Sequence, residues 1–165
     1  MTNQGGVRMG LYAEGDTVTR ARLHGVLPFS NYLWALQVSG QTLRELVQRG
    51  IQTRGRMSYA GLQIRVQERP RGEKRPPYRE LVSLEAMGEK GEYLPVRATE
   101  KYWFVTNEYV AAQGVQAEKV FARKDLKISD YDAVAQTLSG WATENGRLTS
   151  RQIQQKCPSP LVVVP

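Results

Sequence analysis

The sequence predicts an α+β fold, a mixed β-sheet packed with a few helices. Three observations point there. Two segments carry apolar residues at helical spacing, several short runs are rich in β-formers, and the two kinds do not alternate regularly enough for a doubly wound sheet. The 165 residues suit one domain with a real core, and apolar residues make up 41% of the chain, as in ordinary globular proteins.

Taken in order, Thr19 can cap a short helix over Arg20–Val26, which Pro28 stops. Tyr32–Val38 is a near-continuous apolar run with β-formers, expected as a strand buried on both faces. Ser39-Gly40 then opens a helix in which Leu43, Leu46, Val47, Gly50 and Ile51 share one face, opposite Arg44, Glu45, Gln48 and Arg49. Leu62, Ile64 and Val66 alternate with Gln63, Arg65 and Gln67, a half-buried strand. The segment 69–77 must be a loop, because Gly72 and the Pro76-Pro77 pair defeat either ladder. Strands are expected at Leu81–Met87, more briefly at Tyr93–Val96, and at Tyr102–Thr106, which then runs into a loop of small residues through Gly114. Ser129 caps a last helix with Tyr131, Val134, Leu138, Trp141 and Ala142 on its apolar face, ending near Gly146. The expected division is a body over 1–150 and a proline-rich tail over 151–165, whose Leu161–Val164 either docks on the body or is disordered.

Net charge is +7, which suits anionic partners or serves only solubility. No stretch is apolar enough to span a membrane, and the start has neither the basic nor the apolar region of a signal peptide. Met1 directly before Thr2-Asn3-Gln4-Gly5-Gly6 reads as an initiator added to an excised fragment. A single cysteine, Cys157, excludes an internal disulfide. His24, the only histidine, reads as a packing or capping residue. With one histidine and one cysteine the chain offers no cluster of metal ligands and no nucleophile with an acid/base pair in its motif segments, so no metal site and no catalytic residue is expected in it. The charged segment with Arg69, Arg71, Lys74, Arg75 and Arg79 suggests polyanion binding, but Glu68, Glu73 and Glu80 interleave and nucleic acid is the less favoured partner.

Candidate ligand-binding residues fall in three segments. In Asn3-Gln4-Gly5-Gly6-Val7-Arg8 the glycines allow a tight turn, and the Arg8 guanidinium suits a bidentate phosphate contact or a surface ion pair. In Leu27-Pro28-Phe29-Ser30-Asn31, Phe29 is a core ring or a stacking surface, and Asn31 is a turn residue or a donor-acceptor pair for a base edge. In Thr106-Asn107-Glu108-Tyr109-Val110-Ala111-Ala112-Gln113-Gly114, Tyr109 either lines the core or presents its ring to a ligand.

These segments, with Ser39–Leu43 between them and Gly61 in Ser58-Tyr59-Ala60-Gly61-Leu62, occur in an order that resembles the C-terminal domain of the 5′-nucleotidase family over roughly residues 1–145. The resemblance implies the substrate-binding half of a two-domain hydrolase of nucleotide phosphate esters. A calcineurin-like metallophosphatase domain, absent from this chain, would supply a divalent metal pair and the hydrolysis; this chain alone would be inactive. It implies phosphate contact by Arg8, contacts of Asn3 and Asn31 with the base or its surroundings, Gly61 near the substrate, and a base between Phe29 and Tyr109. Its partners would be a nucleotide or related phosphate ester and that N-terminal domain, in the periplasm or outside the cell. One departure is plain: Gln113-Gly114-Val115-Gln116 stands where the family has Gly-Gly-Asp-Gly, whose Asp binds ribose hydroxyls, and Val115 has no acceptor side chain. A degenerate domain of a related hydrolase acting on another ester is the alternative.

Overall fold

The computed structural model describes residues 1–11, 18–52, 57–72, 77–145 and 161–164. In chain order the elements are β1 (Thr2–Asn3), a 3-10 turn (Gln4–Gly6), α1 (Arg20–Val26), β2 (Tyr32–Ser39), α2 (Gly40–Gln52), β3 (Met57–Ser58), β4 (Leu62–Arg69), β5 (Tyr78–Met87), β6 (Tyr93–Pro95), β7 (Lys101–Asn107), α3 (Glu108–Gly114), a second 3-10 turn (Ala117–Lys119), β8 (Val120–Ser129), α4 (Asp130–Asn145) and β9 (Leu161–Val164). The fold is α+β, as expected.

The strands form three sheets. β1 pairs antiparallel with β3; β2 lies between β7 and β8, antiparallel to both; β6, β5, β4 and β9 follow in that order, with β9 parallel to β4. The tail segment Leu161–Val164 therefore docks by its backbone along the edge of β4. Helix α2 carries the centre of the core. Its Leu43, Leu46, Val47 and Ile51 pack with Leu36 and Val38 of β2, Ile64 and Val66 of β4, and Leu84 of β5. Burying such side chains is worth about 1.5–3 kcal/mol each, so this cluster holds the two larger sheets together.

Local chemistry sets the helix starts. Thr19 Oγ1 accepts from the Arg22 N–H at 3.3 Å, and Ser39 Oγ accepts from the Thr42 N–H at 3.1 Å. Ser129 Oγ accepts from the Asp132 N–H at 3.0 Å, which satisfies one donor at the start of α4, and donates to the Asp132 carboxylate at 2.7 Å. Ser129→Ala is expected to lower stability by about 1 kcal/mol, a fall in Tm of roughly 2–4 °C; an unchanged melting curve would show that the cap is dispensable.

Several expectations are corrected. Strand β2 is not buried on both faces: Leu36 and Val38 face the core, while Trp103 and Val105 of neighbouring β7 are exposed on the far side. The stretch after Asn107 is a helix, α3, rather than a loop. Asn107 caps it and alanines fill its middle, both helix-favouring features. Strand β8 is an addition to the expected elements, because Arg123, Lys124, Asp125 and Lys127 break its apolar alternation. It is held by pairing with β2, and two extra residues are accommodated where Tyr32 faces Ser129 but Trp34 faces Asp125. At that irregularity Lys127 has φ 56°, and its N–H bonds Asp125 Oδ1 at 2.9 Å. Arg69 belongs to β4, so the loop begins one residue later than expected. The expected helix stop at Gly146 lies outside the described residues.

Candidate functional site

Antiparallel pairing fixes where the three motif segments meet. Leu33 at the start of β2 faces Asn107 at the end of β7. Phe29, just before β2, and Tyr109, just after β7, therefore leave the same end of the three-stranded sheet. Both rings are largely exposed, at 53% and 57%. An exposed large ring at a strand end gains little from the core and is free to stack on a ligand. Ser30, between Phe29 and Asn31, has φ 46°, a left-handed conformation that non-glycine residues seldom adopt. This turn lets the chain present Phe29 outward and enter β2 immediately afterwards.

The first segment is tied to the same end. The Met1 amine donates to the Val105 carbonyl of β7 at 2.9 Å, and burial lowers its pKa. Asn107, 1% exposed, is the link. Its Oδ1 accepts from the Val110 N–H at 2.9 Å and caps α3; its Nδ2 donates to Asn3 Oδ1 at 3.0 Å and to Thr2 Oγ1 at 3.2 Å. Past the 3-10 turn, the Arg8 N–H donates to the Val26 carbonyl of α1 at 2.9 Å, and the Arg8 guanidinium lies 4.9 Å from the centre of the Phe29 ring. Such a cation over an exposed ring is worth about 0.5–1 kcal/mol, enough to bias the arginine while leaving its N–H groups available. Arg8 and Phe29 thus form one surface carrying a cation and an aromatic ring.

The remaining candidates are differently placed. The Asn31 side chain donates to Asp130 Oδ2 at 3.4 Å, and its carbonyl accepts from the Asp130 N–H at 2.8 Å, so it joins β2 to the start of α4. Burial raises the Asp130 pKa, opposed by its hydrogen bonds to Asn31 and Tyr131. Asn3 has its carbonyl oxygen engaged by Asn107, leaving its amide as the group open to a ligand. Gly61, at φ 69°, turns the chain into β4, and its carbonyl accepts from the Met87 N–H at 2.9 Å. It connects to the site through β3, which pairs with Thr2 and Asn3. Val115 is 8% exposed and packed in the main core, so this position is spent on packing.

Asn107 is the residue that sequence reasoning passes over. It is visible there only as one letter of a motif, and its cap to Val110 is the available signal. His24 packs edge-on against Tyr131, ring centres 5.7 Å apart, between α1 and α4. In the basic segment Arg69 pairs with Glu80 and Arg79 with Glu68, both at 2.8 Å, and Arg71 stacks on Tyr78. Lys74 and Arg75 lie outside the described residues. Among the described residues no group of three or more His, Cys, Asp or Glu side chains is arranged to hold a metal ion, and no helix is long and apolar enough to cross a membrane.

Comparison with known proteins agrees with this architecture. The family model for the 5′-nucleotidase C-terminal domain matches residues 1–123, and the chain belongs to that family. Among solved structures, a 5′-nucleotidase precursor from Thermus thermophilus is 24% identical with a TM-score of 0.67, over 85% of this chain and 28% of that one. The NAD nucleotidase of Haemophilus influenzae is 20% identical with a TM-score of 0.69, over 98% of this chain and 29% of that one. A putative 5′-nucleotidase from Staphylococcus aureus, solved with alpha-ketoglutarate, is 19% identical with a TM-score of 0.56, over 88% of this chain and 30% of that one. At these identities the likeness is one of fold, and the chain spans less than a third of the length of each structure. A search of curated proteins finds no match. The chain is a 5′-nucleotidase-like C-terminal domain.

Proposed function

We propose that this domain holds the substrate of a 5′-nucleotidase-like metallophosphoesterase whose hydrolytic metals lie in a separate N-terminal domain. One observation carries the reading. Buried Asn107 ties the Asn3 segment to the cap of α3, and the same sheet end bears exposed Tyr109 and the stacked Arg8–Phe29 pair. The rings take a base and Arg8 takes phosphate, while Asn3, Asn31 and Gly61 shape the surroundings. In this role the domain orients the ester and neutralises its charge, and contributes no acid, base or nucleophile. In this reading the metal pair belongs to the other domain, as in the two-domain architecture that the family resemblance implies. A nucleotide or related phosphate ester and that domain are its partners. Periplasmic or extracellular placement follows from the same reading, supported by the neighbour described as a precursor.

Titration of the chain with AMP tests this. Stacking on an aromatic side chain is worth about 1–3 kcal/mol, so Phe29→Ala and Tyr109→Ala should each weaken binding by roughly tenfold. Binding unaffected by both substitutions would overturn the base clamp. The burial of Val115 supports a second reading, an ester whose sugar is not gripped at this position. In that case AMP and its 2′-deoxy analogue should bind equally well.

A further inference from the structure

The outer face of the three-stranded sheet carries large apolar side chains in the open. Leu36 and Val38 of β2 point into the core, so Ala35 and Gln37 point away from it. Register sets Trp103 and Val105 of β7 beside them on one flank, and Ala122 and Lys124 of β8 on the other. Trp103 is 53% exposed, and Val105 is exposed as well. The Lys101 ammonium, opposite Ser39, lies 4.8 Å from the centre of the Phe121 ring. Both side chains therefore reach over this same face, and Lys101 covers part of that ring.

Two features equip this face for a partner. The first is its apolar content, because a contiguous exposed apolar patch marks an interaction surface. The core side of the same sheet shows the contrast: there Trp34 is covered by Arg123, whose guanidinium stands 3.3 Å from the ring centre. Trp103 has no such cover among the described residues. The second feature is charge. Lys101 lies on the β7 flank and Lys124, opposite Ala35, on the β8 flank. Neither has an ion-pair partner within 4.0 Å among the described residues. The one carboxylate in the three strands, Asp125, faces Trp34 on the core side and is paired with Lys127 at 2.8 Å. The face is therefore apolar along its middle and cationic on both flanks.

We propose that this face docks one amphipathic helix of a partner protein, whose apolar stripe is flanked by carboxylates. The stripe packs on Trp103, Val105 and Ala35, and the carboxylates meet Lys101 on one flank and Lys124 on the other. The dimensions agree. Three strands span about 10 Å, the width of a single helix. The seven residues of β7 run for about 23 Å, the length of a helix of about 15 residues. Charge complementarity selects the acidic flanks. Two copies of this face would oppose lysine to lysine, in a chain of net charge +7, which disfavours self-association through it.

The test is fluorescence anisotropy of a labelled synthetic helix of about 15 residues, with a leucine stripe flanked by glutamates, titrated with the chain. The same peptide with lysines for the glutamates is the control. The acidic peptide should bind saturably and shift the backbone amides of Ala35, Gln37, Trp103 and Val105 by NMR. The lysine peptide should bind at least tenfold more weakly. Trp103→Ser removes the largest exposed side chain and should cost about tenfold in affinity, with the fold intact by circular dichroism. Lys101→Glu combined with Lys124→Glu should reverse the preference between the two peptides. The proposal is overturned if the acidic peptide does not saturate, if both peptides bind alike, or if the double charge reversal leaves the preference unchanged. It is equally overturned if sedimentation shows a dimer of the chain that Trp103→Ser dissolves. Binding to phosphatidylcholine–phosphatidylserine vesicles that Trp103→Ser abolishes, in place of peptide binding, would assign the face to a membrane surface and overturn it too.

Discussion

Replacing Gly40 with alanine should destabilise the domain by about 3 kcal/mol, lowering Tm by roughly 6–12 °C. Gly40 is the first residue of α2, and its N–H donates to the Glu100 carbonyl at 2.8 Å while the Gln41 N–H donates to the Ala98 carbonyl at 3.0 Å. The helix start is thereby drawn onto the turn before β7. A Cβ at Gly40 would collide with the Arg97 carbonyl oxygen and lie 2.8 Å from its carbon and 3.0 Å from Cε2 of Tyr102. The backbone at Arg97 cannot swing aside as a flexible side chain would. The Arg97 carbonyl accepts from the Glu100 N–H at 3.2 Å and its N–H donates to the Tyr102 hydroxyl at 3.0 Å. Relief therefore requires moving α2, which carries the core. Gly140 in α4 provides the control, since a Cβ there meets nothing within 4 Å. Gly140→Ala should stabilise the protein by about 0.5–1 kcal/mol through helix propensity. Thermal melts of the two variants moving in the same direction would refute the steric account.

Asn107→Ala should lower stability by about 3 kcal/mol and weaken AMP binding together. The substitution removes the cap of α3, typically about 1 kcal/mol, and two further side-chain bonds at a buried position. It removes the side-chain tie from β7 to Thr2 and Asn3 and the N-cap of α3, leaving the Met1 bond to Val105, so Arg8 and Tyr109 lose part of their common support. Asn107→Asp separates the two functions. A carboxylate still accepts from the Val110 N–H and caps α3, but it cannot donate to Asn3 Oδ1 or Thr2 Oγ1. The aspartate variant should regain part of the lost stability and little of the lost affinity. Full recovery of AMP binding in Asn107→Asp would show that the link to Asn3 does not position the site.

What is legible in the sequence is local. The caps at Thr19, Ser39 and Ser129 act within three residues, and the stripe from Leu43 to Ile51 repeats at the helical period, so α1, α2 and α4 are readable. The alternation of Leu62, Ile64 and Val66 is equally plain. Strand β8 is not, because its charged residues hide the period and its stability comes from pairing with β2. Helix α3, seven residues long like α1, escapes a sequence reading because Ala111, Ala112 and Gly114 make its small residues look like a loop after the strand. At the candidate site the ordered motifs and the missing acceptor at Val115 are visible, whereas the stacking of Arg8 on Phe29 and the tie from Asn107 to Asn3 span stretches of chain that no local pattern covers.

The sequence by itself determined the α+β class, the start of each main helix and the family of this domain, because helix caps, hydrophobic period and motif order are properties of neighbouring residues. Only the tertiary structure decided that Phe29 and Tyr109 stand exposed at one sheet end, that Val115 belongs to the core, and that Arg123 lies on Trp34. Those outcomes depend on strand register and on contacts between distant residues, which the folded chain sets through its packing as a whole.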